Sequence, residues 1–190
     1  SSDGILINLI LIVYLINMLK YVNYDIVFQE LPNETTLAIN ISNCPCHCKG
    51  CHSSYLAEDI GKPLDWITIQ KLIMKNIGIT CVSFMGGDLE PATVNLRAAQ
   101  IKTAYPDIRV AWYSGRQELS KDIDIKNFNY IKLGPYIEEL GGLKNPNTNQ
   151  RLYEINRIGK LPDRFALKDI TYKFWKDEDT RHNTSDTGNS

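Results

Sequence analysis

The chain has 190 residues, 43% of them hydrophobic, which is enough for one domain with a substantial core. Lys and Arg (21) nearly balance Asp and Glu (22), giving a formal net charge of −1 and excluding the strongly basic balance of a nucleic-acid-binding protein. Four of the five cysteines fall within residues 44–51; neighbours that close span only strained rings, so a disulfide framework is excluded and a reducing, cytoplasmic setting is expected.

Residues 4–19 (GILINLILIVYLINML) carry no charge. The run falls short of the roughly 20 residues of a membrane-spanning helix, and it lacks the basic start and small-residue cleavage site of a signal peptide. Met18 stands near its end. The preferred reading makes Met18 the natural start, with residues 1–17 an apolar extension outside the core. A membrane-associated helix and an additional packed helix are the alternatives, and a membrane is not expected among the partners.

Residues 24–29 (YDIVFQ) and 36–41 (TLAINI) are short β-rich runs on either side of the turn signal Pro32-Asn33. The cysteine stretch follows the second run directly. Residues 64–76 place Trp66, Ile69, Leu72 and Ile73 on one helical face. Residues 80–85 (TCVSFM) read as a buried strand ending at Gly86-Gly87-Asp88. Helical spacing returns at Val94, Ala98, Ile101 and Tyr105, with Pro91 near the first turn. Residues 108–113 (IRVAWY) and 130–133 (YIKL) are two more strands, closed by Ser114-Gly115 and Gly134-Pro135. Alternating strands and helices predict a parallel α/β sheet, in which the loops after the strand C-termini carry the site. Residues 141–150 (GGLKNPNTNQ) are rich in turn formers and lead to a last β-like run at 151–155. Residues 169–175 (DITYKFW) are apolar enough to dock on the core. Residues 176–190 contain no apolar side chain and are expected to be a disordered tail. The domain is therefore expected to span residues 18–175.

Cys44, Cys48 and Cys51 have the spacing C-x3-C-x2-C. Three thiolates leave one iron of a 4Fe–4S cluster open for an exchangeable ligand, whereas a cluster used only for electron transfer takes four. Cys46 lies between ligands and reads as a non-ligand. Zinc held by Cys44, Cys46, Cys48 and Cys51, or by His47 and His52, is the alternative. Zinc favours two separated ligand pairs, and no second pair follows downstream.

The three-cysteine spacing at the start of an α/β chain resembles the radical S-adenosylmethionine (SAM) superfamily. Ser83 to Asp88 (SFMGGD) looks like the superfamily's glycine–glycine–acid motif, although the acid is often Glu there. The order CKGCH, MGGD, WYSG (112–115), KLGPY (132–136) and TNQRLY (148–153) is similar to one branch, the activating proteins of the anaerobic ribonucleoside-triphosphate reductase. The resemblance covers roughly residues 19–175. It implies a partial parallel TIM-like βα barrel with an open side for a protein substrate. It also implies a 4Fe–4S cluster on Cys44, Cys48 and Cys51, with SAM chelating the open iron. Gly86 and Gly87 would admit the methionyl group, and the Asp88 region would accept from its ammonium. Ser114 would bond its carboxylate or ribose, and Gly50, Cys51 and His52 would contact the adenine. The implied reaction cleaves SAM reductively to a 5′-deoxyadenosyl radical, which makes the glycyl radical of the reductase. No side-chain acid or base is needed for it, and a flavodoxin-type protein is the expected electron donor. The rivals are a radical SAM enzyme acting on another glycyl-radical enzyme or a small molecule, and a non-catalytic zinc or iron–sulfur module.

Overall fold

The structure is a computed structural model that describes residues 18–159 and 164–175. The expected apolar extension 1–17 and polar tail 176–190 lie outside the described residues.

Ten residues, Trp66–Lys75, form helix α1, and their apolar positions explain it: Ile69, Leu72 and Ile73 are buried at helical spacing. Asp65 caps the start, its carboxylate accepting from Thr68 N at 2.7 Å. That bond holds the Asp65 carboxyl below its usual range. Helix α2, Pro91–Ala104, opens on a proline, whose missing N–H is no loss in a first turn, and buries Val94, Ala98 and Ile101. Its last residue is followed by Tyr105-Pro106, and the residue before a proline leaves the helical region.

The strands are β1 (Lys20–Val27), β2 (Thr36–Ile41), β3 (Lys62–Pro63), β4 (Cys81–Met85), β5 (Arg109–Tyr113), β6 (Tyr130–Leu133), β7 (Arg151–Arg157) and β8 (Phe165–Asp169). They make one open sheet in the order β3-β1-β2-β4-β5-β6-β7-β8. The centre is parallel as expected, β2, β4, β5 and β6 all running one way. The margins are antiparallel. On one side β1 pairs with β2 and β3, and on the other β7 pairs with β6 and β8. The sheet is therefore mixed, and it is not closed into a barrel.

β4, β5 and β7 differ from the sequence reading by one or two residues, the short β3 was not expected, and β1 and β8 differ for physical reasons. β1 begins at Lys20 and ends at Val27, because its ladder with β2 closes at Val27↔Thr36 and leaves Phe28 68% exposed in the turn. β8 precedes the stretch expected to dock. It is half exposed and held by backbone pairing to β7 rather than by an apolar face, while Ile170 and Phe174 just after it pack on the core.

Alternation in the central strands sorts their side chains to two faces. Leu37, Ile39, Val82, Phe84, Val110, Trp112 and Ile131 meet α1 and α2 in the larger core. Cys81, Ala111 and Tyr130 face the other way and meet Leu31, Leu143, Leu152 and Ile170 in a smaller one. At the start of these strands the second face is closed by a polar knot. Buried Glu34 accepts from Tyr130 Oη at 3.0 Å and from Thr80 Oγ1, and pairs with Arg109 at 3.0 Å. At the other end that face opens into a cavity.

Candidate metal and cofactor site

The register brings Asn40, Met85, Tyr113 and Lys132 into one lateral row across β2, β4, β5 and β6. All four line a cavity of about 630 Å³ at the strand C-termini. That volume lies within the roughly 300–1,000 Å³ range of small-molecule sites. The loops that follow these strands build its rim.

The loop after β2 carries the cysteines. Cys44 N donates to Leu56 O at 2.9 Å, which ties the loop to a short 3-10 turn, Ser54–Ala57, whose Leu56 is buried. Asn43 and His47 both take positive φ (59° and 44°), so the backbone turns sharply twice within five residues. Such conformations cost energy in residues with a Cβ and gather at functional sites. Cys44, Cys46, Cys48 and Cys51 are free, half-buried and open into the cavity together with His52. Gly50 does not line the cavity. It lies against the Glu138 side chain, which a Cβ there would meet at 3.0 Å. The His52 ring stands 6.0 Å from that of Tyr136.

The loop after β4 divides its two glycines. Gly86 lines the cavity. Its N–H donates to Tyr113 O at 2.9 Å and its carbonyl accepts from Trp112 Nε1 at 2.8 Å, which fixes the peptide from both sides. Gly87 turns toward the core at φ +90°, where a Cβ would sit 2.8 Å from Val94 Cγ2. It lets the loop pass close to α2, and unlike Gly86 it is not part of the cavity lining. Asp88 is buried and ties this loop to the next. It accepts from Ser114 Oγ, and from Gly115 N at 2.9 Å. Ser114 Oγ in turn accepts from Arg116 N at 3.0 Å. Asp88 and Ser114, which the sequence reading placed separately on a ligand, are thus partners of each other first.

Cys46 belongs to this same wall. Its sulfur lies 4.0 Å from Asp88 Oδ2 and 2.7 Å from where a Cβ on Gly115 would stand. Burial and the Asp88 carboxylate push its thiol up to about 12. The close packing gives a direct test. Gly115→Ala is expected to destabilise the chain by about 1–3 kcal/mol through overpacking, and Cys46→Ala combined with it is expected to restore most of that loss. A double-mutant cycle by urea unfolding checks this. Additive effects would mean that the two residues do not touch.

Among the described residues, no group of three or more His, Cys, Asp or Glu side chains stands in a metal-holding arrangement. The donors nonetheless fit a thiolate-bound centre in kind: unpaired cysteines, on one loop, facing one cavity. Binding then has to draw the sulfurs together. No protein-family model, curated protein or solved structure compared with the chain matches it.

Lys132 was missed from the sequence. Its ammonium is buried in the cavity wall and donates to Ser114 O at 3.1 Å and Gly134 O at 2.7 Å. Burial lowers its pKa to about 8, against the pull of Asp88 and the cysteines, which favours the charge. The signal in the sequence was a lysine inside an otherwise apolar strand. An ammonium has three N–H groups, and two are accounted for.

Proposed function

We propose that the chain holds a 4Fe–4S cluster on Cys44, Cys48 and Cys51, binds SAM beside it, and activates the anaerobic ribonucleoside-triphosphate reductase by generating its glycyl radical. The observation that carries this reading is the cavity itself. The three cysteines, Gly86, Asp88 and Ser114, which the radical SAM resemblance names, all meet in it, and they come from three different loops. When bound, the cluster supplies one electron to the sulfonium of SAM, which releases methionine and a 5′-deoxyadenosyl radical.

The chain's own residues then bind and orient. The Gly86 peptide, held by Trp112 and Tyr113, offers the methionyl group a fixed backbone edge. Asp88 keeps lone pairs for its ammonium, and a charge-assisted bond of that kind is about twice as strong as a neutral one. Lys132 would meet the carboxylate, and Ser114 and His52 line the same space. The hard chemistry belongs to the cofactors, and the protein supplies placement and exclusion of water. In this reading the open sheet is a partial βα barrel whose unclosed side receives the reductase, with a flavodoxin-type protein as electron donor in the cytoplasm. Among the described residues, no helix is long and apolar enough to cross a membrane.

The test is anaerobic reconstitution with iron and sulfide, followed by dithionite and SAM. A brown protein that releases 5′-deoxyadenosine and leaves a glycyl radical on the reductase is expected. A colourless protein with one zinc and no SAM cleavage sinks the proposal. SAM cleavage without a radical on the reductase moves the substrate to another glycyl-radical enzyme or a small molecule.

A further inference from the structure

One polar side chain in the cavity has no task in that reading. Gln150 is 6% exposed and lines the cavity. Its backbone N–H donates to Thr148 Oγ1 at 3.1 Å, while its carboxamide has no hydrogen-bond partner among the described residues. A primary amide carries two donors and an acceptor, and this one borders the open cavity, where an entering ligand can meet it.

Its place in the fold narrows the ligand. Gln150 immediately precedes β7 and shares the face of Leu152, two residues on, which belongs to the core on the cavity side. The backbone of β6 passes close by: a Cβ on Gly134 would come within 3.1 Å of Gln150 Cα. In the sheet, β4, β5 and β6 separate β7 from β2, whose following loop bears the cysteines. The contacts assigned above to cluster and SAM come chiefly from the loops after β2, β4 and β5. The β7 side is left for the second reactant. Gly142 stands beside the amide there, its Cβ position 3.7 Å from Gln150 Oε1, and Leu143 and Phe174 complete the lining. A glycine wall next to apolar side chains admits a main chain at close range.

We propose that the Gln150 carboxamide binds a main-chain peptide unit of the partner's glycine segment, accepting from an N–H and donating to a C=O. An extended residue presents both groups to one side, as in an antiparallel pair, and a carboxamide matches both. The bound segment then sets the target glycine toward the cofactor half of the cavity. This inference rests on the function proposed above and adds the residue that reads the protein substrate.

The full chain, reconstituted with cluster, is tested with a synthetic peptide copying the radical-bearing glycine segment of the reductase. Gln150→Leu is expected to weaken peptide binding about tenfold, the loss of one to two net hydrogen bonds. Its iron content, its SAM affinity and its peptide-independent SAM cleavage are expected to stay within about twofold of wild type, and its cofactor-free melting temperature not to fall. Gln150→Glu keeps an acceptor, loses both donors and is expected to show a smaller loss of peptide affinity. Undiminished peptide binding by Gln150→Leu, in a background where wild type cleaves SAM, overturns this inference alone. Weakened SAM binding would assign the amide to the cofactor, and a lowered melting temperature would assign it to the fold; either overturns it too. A wild-type chain that cleaves no SAM overturns both this inference and the function beneath it.

Discussion

Serine at Cys44, Cys48 or Cys51, taken singly, is expected to abolish cluster binding, with SAM cleavage lowered by more than about 100-fold. Even outer-shell partners of a metal commonly alter affinity or activity by 10–100-fold, and a ligand itself counts for more. Serine at Cys46 is expected to leave iron and acid-labile sulfide at the wild-type level. The contrast follows from where each sulfur lies. All four line the cavity, but only Cys46 is packed on the wall joining Asp88 to Gly115. A sulfur held there cannot turn to a metal without opening that wall. The measurement is iron and sulfide content with the visible absorption of each reconstituted variant, alongside 5′-deoxyadenosine yield. Loss of cluster at Cys46→Ser, or its retention at any of the other three, would falsify the ligand assignment.

The parallel centre of the fold was legible because each of its strands is a short apolar run ended by glycine, a turn former or proline. Tyr130–Leu133 was read to the residue. At the margins the runs of β1 and β7 were read but their antiparallel pairing was not, and β3 and β8 were not read at all. The antiparallel pairing of β1 is set by its Pro32-Asn33 turn, and β8 by backbone pairing to a half-exposed neighbour, and neither leaves a strong periodic mark. The site divides in the same way. The cysteine spacing can be read in sequence because ligand and bystander lie in one loop. The separation of Gly86 from Gly87 cannot, since it depends on how closely α2 approaches through Val94. Nor can the pairing of Asp88 with Ser114, which joins residues 26 apart. Lys132 and Gln150 escaped notice because their orientation follows from register. Lys132 is directed to the cavity by its place opposite Tyr113 and Leu152, and Gln150 by the ladder that starts at Leu133↔Arg151.

Lys132 is expected to make stability depend on pH in an unusual direction. A buried ammonium is disfavoured by desolvation, so its folded pKa, about 8, lies below the value near 10.5 of the free side chain. Between those values the unfolded chain binds more protons than the folded one, and stability rises with pH across that window. Integrated over the interval, the gain is about 3 kcal/mol. The wild type, free of metal and kept reduced, is therefore expected to gain on Lys132→Met in urea unfolding as pH is raised from 8 to 10.5. A difference that stays flat over that range would show that the ammonium is not held as described. At pH 7 the charge is retained against that desolvation, supported by the carbonyls of Ser114 and Gly134 and by Asp88 nearby. A structural strut between two loops could be made without a charge, since neutral donors also bond carbonyls. In the function proposed above, that charge would meet the carboxylate of SAM. Lys132→Met is accordingly expected to keep its cluster and lose about 10–100-fold in SAM affinity, the effect of removing one charge-assisted bond of about 1.5–3 kcal/mol. Unchanged SAM affinity in that variant would leave the buried cation with a role in the wall alone.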